Sequence, residues 1–145
     1  MKAASEPLGQ QVLADLLTAA TAARERAHAP YSRFKVGAAL LDEQGRIHAG
    51  CNVENAAYPQ GACAEAGALS ALVLAGGRRL QAVLVVGEGA APCTPCGGCR
   101  QRLREFGTDD LPVLVADPSG LRVRFTLGEL LPASFGPDHL KDASP

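Results

Sequence analysis

The 145-residue chain contains no tryptophan, and its aromatic residues are two tyrosines and four phenylalanines. It also lacks an excess of charge of either sign, since its formal net charge at pH 7 is -1. A near-neutral chain without an aromatic and basic strip is poorly suited to bind a long nucleic acid. No apolar run approaches the roughly 20 residues that a membrane-spanning helix requires. We therefore expect neither a long nucleic acid nor a membrane as a partner.

The N-terminal residues lack the apolar core of a secretory signal. Hydrophobic residues make up 47% of the chain and charged residues 20%, which is typical of a globular protein. We expect a single domain over residues 1–145, with residues 1–9 as a flexible lead-in. The five cysteines are an odd number, and three of them have metal-ligand spacing. This usage suits the reducing cytoplasm better than a disulfide framework.

Hydrophobic periodicity predicts an alternation of helices and strands. Helices are predicted over residues 10–28, 63–74 and 99–106, because apolar residues recur there at helical spacing or helix-forming residues are concentrated there. Strands are predicted over residues 34–41, 46–53, 80–87, 112–116 and 121–126. The C-terminal residues are expected to be ordered by packing, without regular structure. The pattern indicates an α/β domain with helices packed on a mixed sheet of about five strands.

Three cysteines form the most informative pattern in the chain. Cys96 and Cys99 stand in a C-x-x-C pair, the usual spacing for two thiolates on one zinc ion, and Cys63 is the candidate third ligand. Three protein ligands leave one position of a tetrahedral ion open, as in catalytic rather than structural zinc sites. Both groups fall at predicted strand-to-helix junctions. Free N–H groups at the helix N-termini would offset part of the thiolate charge.

Glu65 follows Cys63 by two residues. If Cys63 lies in the first turn of a helix, the Glu65 carboxylate can reach the open position without binding the metal. Three ligands, a non-ligand glutamate and a P-C-x-x-C sequence together match the pattern of the zinc nucleobase deaminases. Taken alone, such a glutamate is usually a solvated helix residue. Within this pattern, Glu65 is the candidate acid and base.

Five segments resemble the cytidine deaminase family, specifically its small, tetrameric type. They are residues 31–39 (YSRFKVGAA), 50–59 (GCNVENAAYP), 63–65 (CAE), 95–101 (PCGGCRQ) and 131–137 (LPASFGP). Their shared order over most of the chain is far more specific than an isolated C-x-x-C. The resemblance implies a three-layer α-β-α cytidine-deaminase-like fold with a mixed five-stranded sheet. It also implies zinc-dependent hydrolytic deamination of cytidine and deoxycytidine to uridine and deoxyuridine plus ammonia, in pyrimidine salvage.

The resemblance also implies a role for each matched residue. One Zn²⁺ per subunit would be bound by Cys63, Cys96 and Cys99, and Glu65 would carry protons. The remaining matched residues would contact substrate: Phe34 lines the nucleoside pocket, Asn52 and Glu54 bind the sugar 3′-hydroxyl, and Ala56, Tyr58 and Phe135 approach the site of a neighbouring subunit. The implied assembly is a homotetramer with active sites shared between subunits.

One position departs from the family pattern. Many family members have an arginine directly after the catalytic glutamate, where it neutralises the thiolates, but this chain has Ala66. The negative charge of the thiolates would then be offset by the helix N-termini, by another donor such as Arg100 or Gln60, or not at all. The arginines around Arg102 are expected to lie on solvated faces.

Two alternatives stay open at this point. Cys93 also forms a C-x-x-C with Cys96, so a closed site with four cysteines is formally possible. Otherwise Cys51 and Cys93 are expected to be plain cysteines. The second alternative is deamination of a cytosine nucleoside antibiotic such as blasticidin S. The presence of Asn52 and Glu54 favours an ordinary nucleoside.

Overall fold

A mixed five-stranded sheet organises the structure, a computed structural model that describes residues 8–141. The elements are α1 (Gln10–Glu25), β1 (Gly37–Asp42), β2 (Ile47–Cys51), α2 (Ala64–Leu74), β3 (Leu80–Val86), α3 (Gly97–Phe106), β4 (Pro112–Asp117), β5 (Gly120–Thr126) and α4 (Leu127–Leu130). Single 3₁₀ turns lie at Tyr58–Gln60 and Pro137–His139. The strand order is β2-β1-β3-β4-β5, with β3 and β4 parallel and all other neighbours antiparallel.

Helices cover both faces of this sheet, because successive side chains of a strand point to opposite faces. In β1, Ala39 and Leu41 pack in the cluster that includes α1, whereas Ala38 and Leu40 pack in the cluster that includes α2 and α3. The central strands β3 and β4 contribute buried residues to both clusters. The predicted α/β fold, with three α-β-α layers and five strands, is therefore confirmed.

The predicted end of the first helix and the predicted start of the first strand were each wrong by about three residues. Helix α1 ends at Glu25 rather than at residue 28, and β1 begins at Gly37 rather than at Phe34. The chain turns between them at Arg33, whose φ is 59°. The Asn52 side chain accepts a hydrogen bond from the Val36 N–H at 2.8 Å and donates one to the Phe34 carbonyl at 2.8 Å. These bonds hold Phe34 in a loop rather than in a strand.

Two further differences lie in the second half of the chain. Helix α3 begins at Gly97, two residues before the predicted start at Cys99, so Cys99 lies within its first turn. The segment after β5 was predicted to be irregular but forms the short helix α4. Thr126 and Glu129 explain it, since each side chain bonds the other residue's backbone N–H in a capping box.

Gly50 allows α2 to lie directly on β2. A Cβ atom built on Gly50 would lie 2.4 Å from the Ala68 nitrogen and 2.5 Å from the Ala64 oxygen. Any side chain there would push α2 away from the sheet. Gly50 therefore sets the distance of α2, and with it of Cys63 and Glu65, from β2.

The predicted lead-in over residues 1–9 lies mostly outside the part of the chain that the structure describes. Residues 1–7 of the predicted lead-in and residues 142–145 lie outside the described part, and residues 8 and 9 directly precede α1. Within residues 8–141, no helix combines the length and the apolar character needed to cross a bilayer.

Candidate metal centre and active site

Two helix N-termini bring the candidate metal ligands together. Cys63 is the residue immediately before α2, and Cys96 is the residue immediately before α3. Cys99 follows in the first turn of α3 and is fully buried. Since α2 and α3 pack side by side on the same face of the sheet, the three cysteines meet where the two helices begin.

The spacing of the sulfur atoms suits one zinc ion. The Sγ atoms of Cys63, Cys96 and Cys99 all lie within 4.8 Å of one another, and the Cys63–Cys96 distance is 3.7 Å. Tetrahedral zinc with Zn–S bonds of about 2.3 Å requires sulfurs about 3.8 Å apart. Within residues 8–141, no other group of three or more Cys, His, Asp or Glu ligand atoms comes this close together. Donor type and spacing therefore both fit zinc.

Cys93 does not join this cluster, although it forms a C-x-x-C with Cys96. It is absent from the group of mutually close sulfurs, and a Cβ atom on Gly87 would lie 2.7 Å from the Cys93 Cβ. Cys93 thus packs against the end of β3. The closed site with four cysteines is not formed in the structure, and Cys63, Cys96 and Cys99 remain as the candidate ligands.

Glu65 lies in the first turn of α2, and only 4% of its surface is exposed. Burial raises the pKa of this carboxyl group, and the Cys99 thiol and the positive charge of Arg102 lower it by less. A carboxyl group with a raised pKa exchanges protons more readily near neutral pH than an exposed glutamate does. The sequence predicted this position beside the thiols, and the structure places Glu65 there.

A cavity of about 350 Å³ opens next to the thiols. Six of the predicted site residues line it: Phe34, Asn52, Glu54, Cys63, Glu65 and Cys96. The volume is within the range of small-molecule pockets. A larger groove of about 640 Å³ lies between α2 and α3, but none of the predicted site residues lines it. Thiols, carboxyl group and aromatic ring therefore share the smaller cavity.

Asn52 and Glu54 line the cavity and also hold one of its walls. Glu54 Oε1 accepts hydrogen bonds from the Tyr31 N–H at 2.9 Å and from the Ser32 N–H at 3.1 Å, and the Ser32 hydroxyl donates to Oε2. Together with the bonds from Asn52 described above, they fix residues 31–36. They are the turn-capping contacts that the sequence also allows for this pair. The pair has bonding capacity left for a ligand, because a carboxylate and an amide can each form about four hydrogen bonds.

Three predicted substrate contacts lie outside this cavity in the single chain. Ala56 is exposed, Tyr58 is 77% exposed and meets the edge of Tyr31, and Phe135 is 57% exposed and stacks on His139. The expectation was that these residues approach the site of a neighbouring subunit. Their exposure leaves their side chains available for such a contact.

A family model described as "Cytidine and deoxycytidylate deaminase zinc-binding region" matches residues 10–115, well over half of the chain. The chain belongs to this deaminase family. Its relatives include a cytidine deaminase from Sporosarcina psychrophila, 42% identical over 129 residues that cover 89% of this chain and 95% of that protein. A cytidine deaminase from Mycobacterium tuberculosis is 47% identical over 121 residues, or 83% of this chain and 87% of that protein.

Solved structures of the family have the same fold. The crystal structure of cytidine deaminase from Burkholderia pseudomallei matches with a TM-score of 0.78 and 44% identity, covering 88% of this chain and all of that one. The family's name identifies zinc as the ion for the three thiols, so the predicted Zn²⁺ cofactor is confirmed. Identity at this level over most of both chains indicates that they share an enzyme class as well as a fold.

The protonation of the three thiols depends on their different surroundings. Burial raises the pKa of Cys63 and of Cys99, and the negative charge of Glu65 raises the pKa of Cys99 further. The backbone N–H of Cys99 lowers the pKa of Cys96. The surroundings of Cys96 therefore favour its thiolate, whereas burial opposes ionisation of Cys63 and Cys99.

Of the donors suggested by the sequence, the helix N-termini contribute the Cys99 backbone N–H at Cys96, whereas neither Arg100 nor Gln60 has a hydrogen bond to a cluster sulfur. The Arg100 guanidinium bonds the Pro95 and Leu130 carbonyls at 2.7 Å each and contacts no sulfur of the cluster. Arg102 is exposed, as expected, and its Nη1 lies 3.8 Å from the Cys99 Sγ. The spacing of three residues from Cys99 on a predicted helix could have indicated this contact. The sequence does not give the direction of the Arg102 side chain.

Proposed function

We propose that this protein is a zinc-dependent deaminase that hydrolyses cytidine and deoxycytidine to uridine and deoxyuridine plus ammonia, in pyrimidine salvage in the cytoplasm. The observation that carries the proposal is that three zinc-spaced thiols and the buried Glu65 meet at one cavity. The likeness to proteins named cytidine deaminase, at 42% and 47% identity, supports it. Five free cysteines also suit a reducing compartment.

The chemistry follows from the groups at the cavity. Cys63, Cys96 and Cys99 hold the ion, which when bound supplies the Lewis acidity that makes water a nucleophile near neutral pH. Glu65 takes a proton from water and passes it to N3 of the pyrimidine while the water oxygen adds to C4. It then carries the second proton to the exocyclic nitrogen, the C4–N bond breaks, and ammonia leaves. The oxygen remains on C4 as the product carbonyl.

The burial of Glu65 suits this proton relay. Its carboxyl group is screened from bulk solvent, so a proton taken from water is kept until the ring nitrogen receives it. Burial also raises its pKa, which stabilises the neutral form that exists between the two transfers. One residue can therefore serve as base and as acid in the same turnover.

The cavity walls suit a nucleoside better than a nucleotide. Phe34 offers an aromatic surface to the pyrimidine, and Asn52 and Glu54 offer acceptors and a donor to the 3′-hydroxyl of the sugar. None of the described residues that line the cavity is Lys, Arg or His, so nothing there would pair with a phosphate. A cytosine nucleoside antibiotic is not favoured as the substrate, because the relatives reported above are named cytidine deaminase.

We propose that Ala56, Tyr58 and Phe135 complete the site of a neighbouring subunit in a homotetramer. Large apolar side chains left exposed on one chain support this assembly, since such surface usually marks an interface. Tyr58 and Phe135 are more than half exposed, and Leu74, beside the groove between α2 and α3, is 90% exposed. The fit of the cavity to a nucleoside would then depend on assembly.

Glu65→Gln should retain zinc and lose activity. The amide can neither accept nor return a proton, so we expect kcat for cytidine to fall by about 10²–10⁴-fold. Zinc per chain is measured by atomic absorption and turnover by ultraviolet absorbance. Glu25→Gln, an exposed carboxylate at the end of α1, is the matched control and should behave as wild type. A near-normal rate for Glu65→Gln would contradict the proton relay, and loss of zinc would indicate a structural role instead.

The sugar contacts predict which nucleosides are substrates. If recognition uses the 3′-hydroxyl alone, kcat/KM for cytidine and deoxycytidine should differ by less than the roughly tenfold that one hydrogen bond contributes. 3′-Deoxycytidine should lose at least that factor, with KM rising more than kcat falls. Steady-state kinetics on the three nucleosides provides the measurement. A strong preference between cytidine and deoxycytidine, or full activity on 3′-deoxycytidine, would count against this role of Asn52 and Glu54.

Shared active sites predict complementation between two impaired chains. Sedimentation should give four times the chain mass of 14.9 kDa. Phe135→Ala should lower activity, because it removes a group from the neighbouring site. Co-expressed Glu65→Gln and Phe135→Ala chains should form mixed tetramers more active than either variant alone, since some sites then hold both native residues. A single-chain mass, or no gain in the mixed sample, would refute shared sites.

A further inference from the structure

We propose that Arg102 is a positioning residue for the metal centre, which holds the Cys99 thiolate and withdraws negative charge from it. Its Nη1 lies 3.8 Å from the Cys99 Sγ, and the residue lines the groove between α2 and α3 but not the nucleoside cavity. The inference rests on the proposed function only for its kinetic effect. The contact with the sulfur, and the spectroscopic consequence below, depend only on metal binding.

The local geometry brings the guanidinium onto the sulfur. Arg102 follows Cys99 by three residues in α3, so the two side chains share one face of the helix. Gly98 provides the space for this contact, because a Cβ atom there would lie 3.1 Å from the Arg102 Nη1. Cys99 is fully buried, so water cannot donate a hydrogen bond to its sulfur. The Arg102 N–H supplies that hydrogen bond instead.

The charge of the site requires such a group. A divalent ion with three thiolates has a net charge of -1, and the buried carboxylate of Glu65 adds a second negative charge. Ala66, which with Arg102 lines the groove between α2 and α3, contributes no charge. A buried negative cluster is stabilised when a cation lies beside it.

The other arginines of α3 are bonded elsewhere. Arg100 bonds the Pro95 and Leu130 carbonyls, and Arg104 bonds the Ser134 hydroxyl at 3.0 Å and the Asp138 carboxylate at 2.7 Å. Among residues 8–141, Arg102 is the one cationic residue with a hydrogen bond to a cluster sulfur. The role therefore falls to Arg102 and not to α3 in general.

Two consequences follow from the contact. The positive charge lowers the energy of the sulfur lone pairs, so Cys99 donates less electron density and the ion remains a stronger Lewis acid. Arg102 does not line the nucleoside cavity, so its loss should affect the chemical step and leave substrate binding nearly unchanged.

The test compares cobalt(II)-loaded proteins, produced by growth in cobalt-supplemented medium, in which sulfur-to-cobalt charge transfer absorbs in the near ultraviolet. Arg102→Met removes the charge at similar length, and we expect this band to move to longer wavelength because the sulfur electrons are less tightly held. In the zinc proteins, kcat should fall by at least about tenfold, as for the loss of one hydrogen bond to a charged group, with KM nearly unchanged. Arg102→Lys should recover part of both effects.

The controls separate this role from a general effect on folding or charge. Arg26→Met removes an exposed arginine at the end of α1, and its band and kcat should match wild type. Gly98→Ala changes no charge, and its methyl group at 3.1 Å from Nη1 should move the guanidinium by a few tenths of an ångström and shift the band slightly in the same direction as Arg102→Met. This variant keeps the proposal testable if Arg102→Met folds poorly.

A charge-transfer band unchanged in both Arg102→Met and Gly98→Ala would overturn the proposal, and so would a loss of kcat/KM that comes entirely from KM. A shifted band with no cytidine deamination in any protein would instead contradict the proposed function.

Discussion

The structure depends on three sulfur atoms held within 4.8 Å of one another at the start of two helices. Neither helix could place them alone, because Cys63 precedes α2, whereas Cys96 precedes α3 and Cys99 lies in its first turn. The sheet brings these helix ends together, and Gly50 lets α2 approach β2 at backbone distance. A shift of either helix would separate the sulfurs, so packing on the sheet and metal binding stabilise one arrangement.

Charge is the second constraint on this site. Thiolates and a buried carboxyl group accumulate negative charge where little water is available to solvate it, and burial raises the pKa of Cys63, Cys99 and Glu65. The divalent ion offsets part of this charge, and the helix N-termini contribute through backbone N–H groups such as that of Cys99. The same electrostatic situation serves the proposed chemistry, because a carboxyl group that is costly to ionise is one that returns protons readily.

Much of the site could be predicted from sequence because its spacing is local. The C-x-x-C pair and the interval from Cys63 to Glu65 each fall within one helical turn, and helix propensity located α2, whereas the start of α3 was predicted two residues too late. The start of β1 was misplaced because side-chain bonds from Asn52, distant in sequence, hold Phe34 in a loop. The contact of Arg102 with Cys99 also escaped prediction, because a side-chain direction depends on the space that Gly98 leaves. Local sequence patterns identify the reacting groups, whereas the residues that position those groups are determined by tertiary contacts.

The central claim is that three sulfurs hold zinc and one position remains open to water. X-ray absorption spectroscopy at the zinc edge, on the protein as purified, tests it most directly. The account predicts three sulfur neighbours at about 2.3 Å and one lighter neighbour, oxygen or nitrogen, at about 2.0 Å. Four sulfur neighbours would contradict it, because a closed site leaves no position for the water that the proposed reaction consumes.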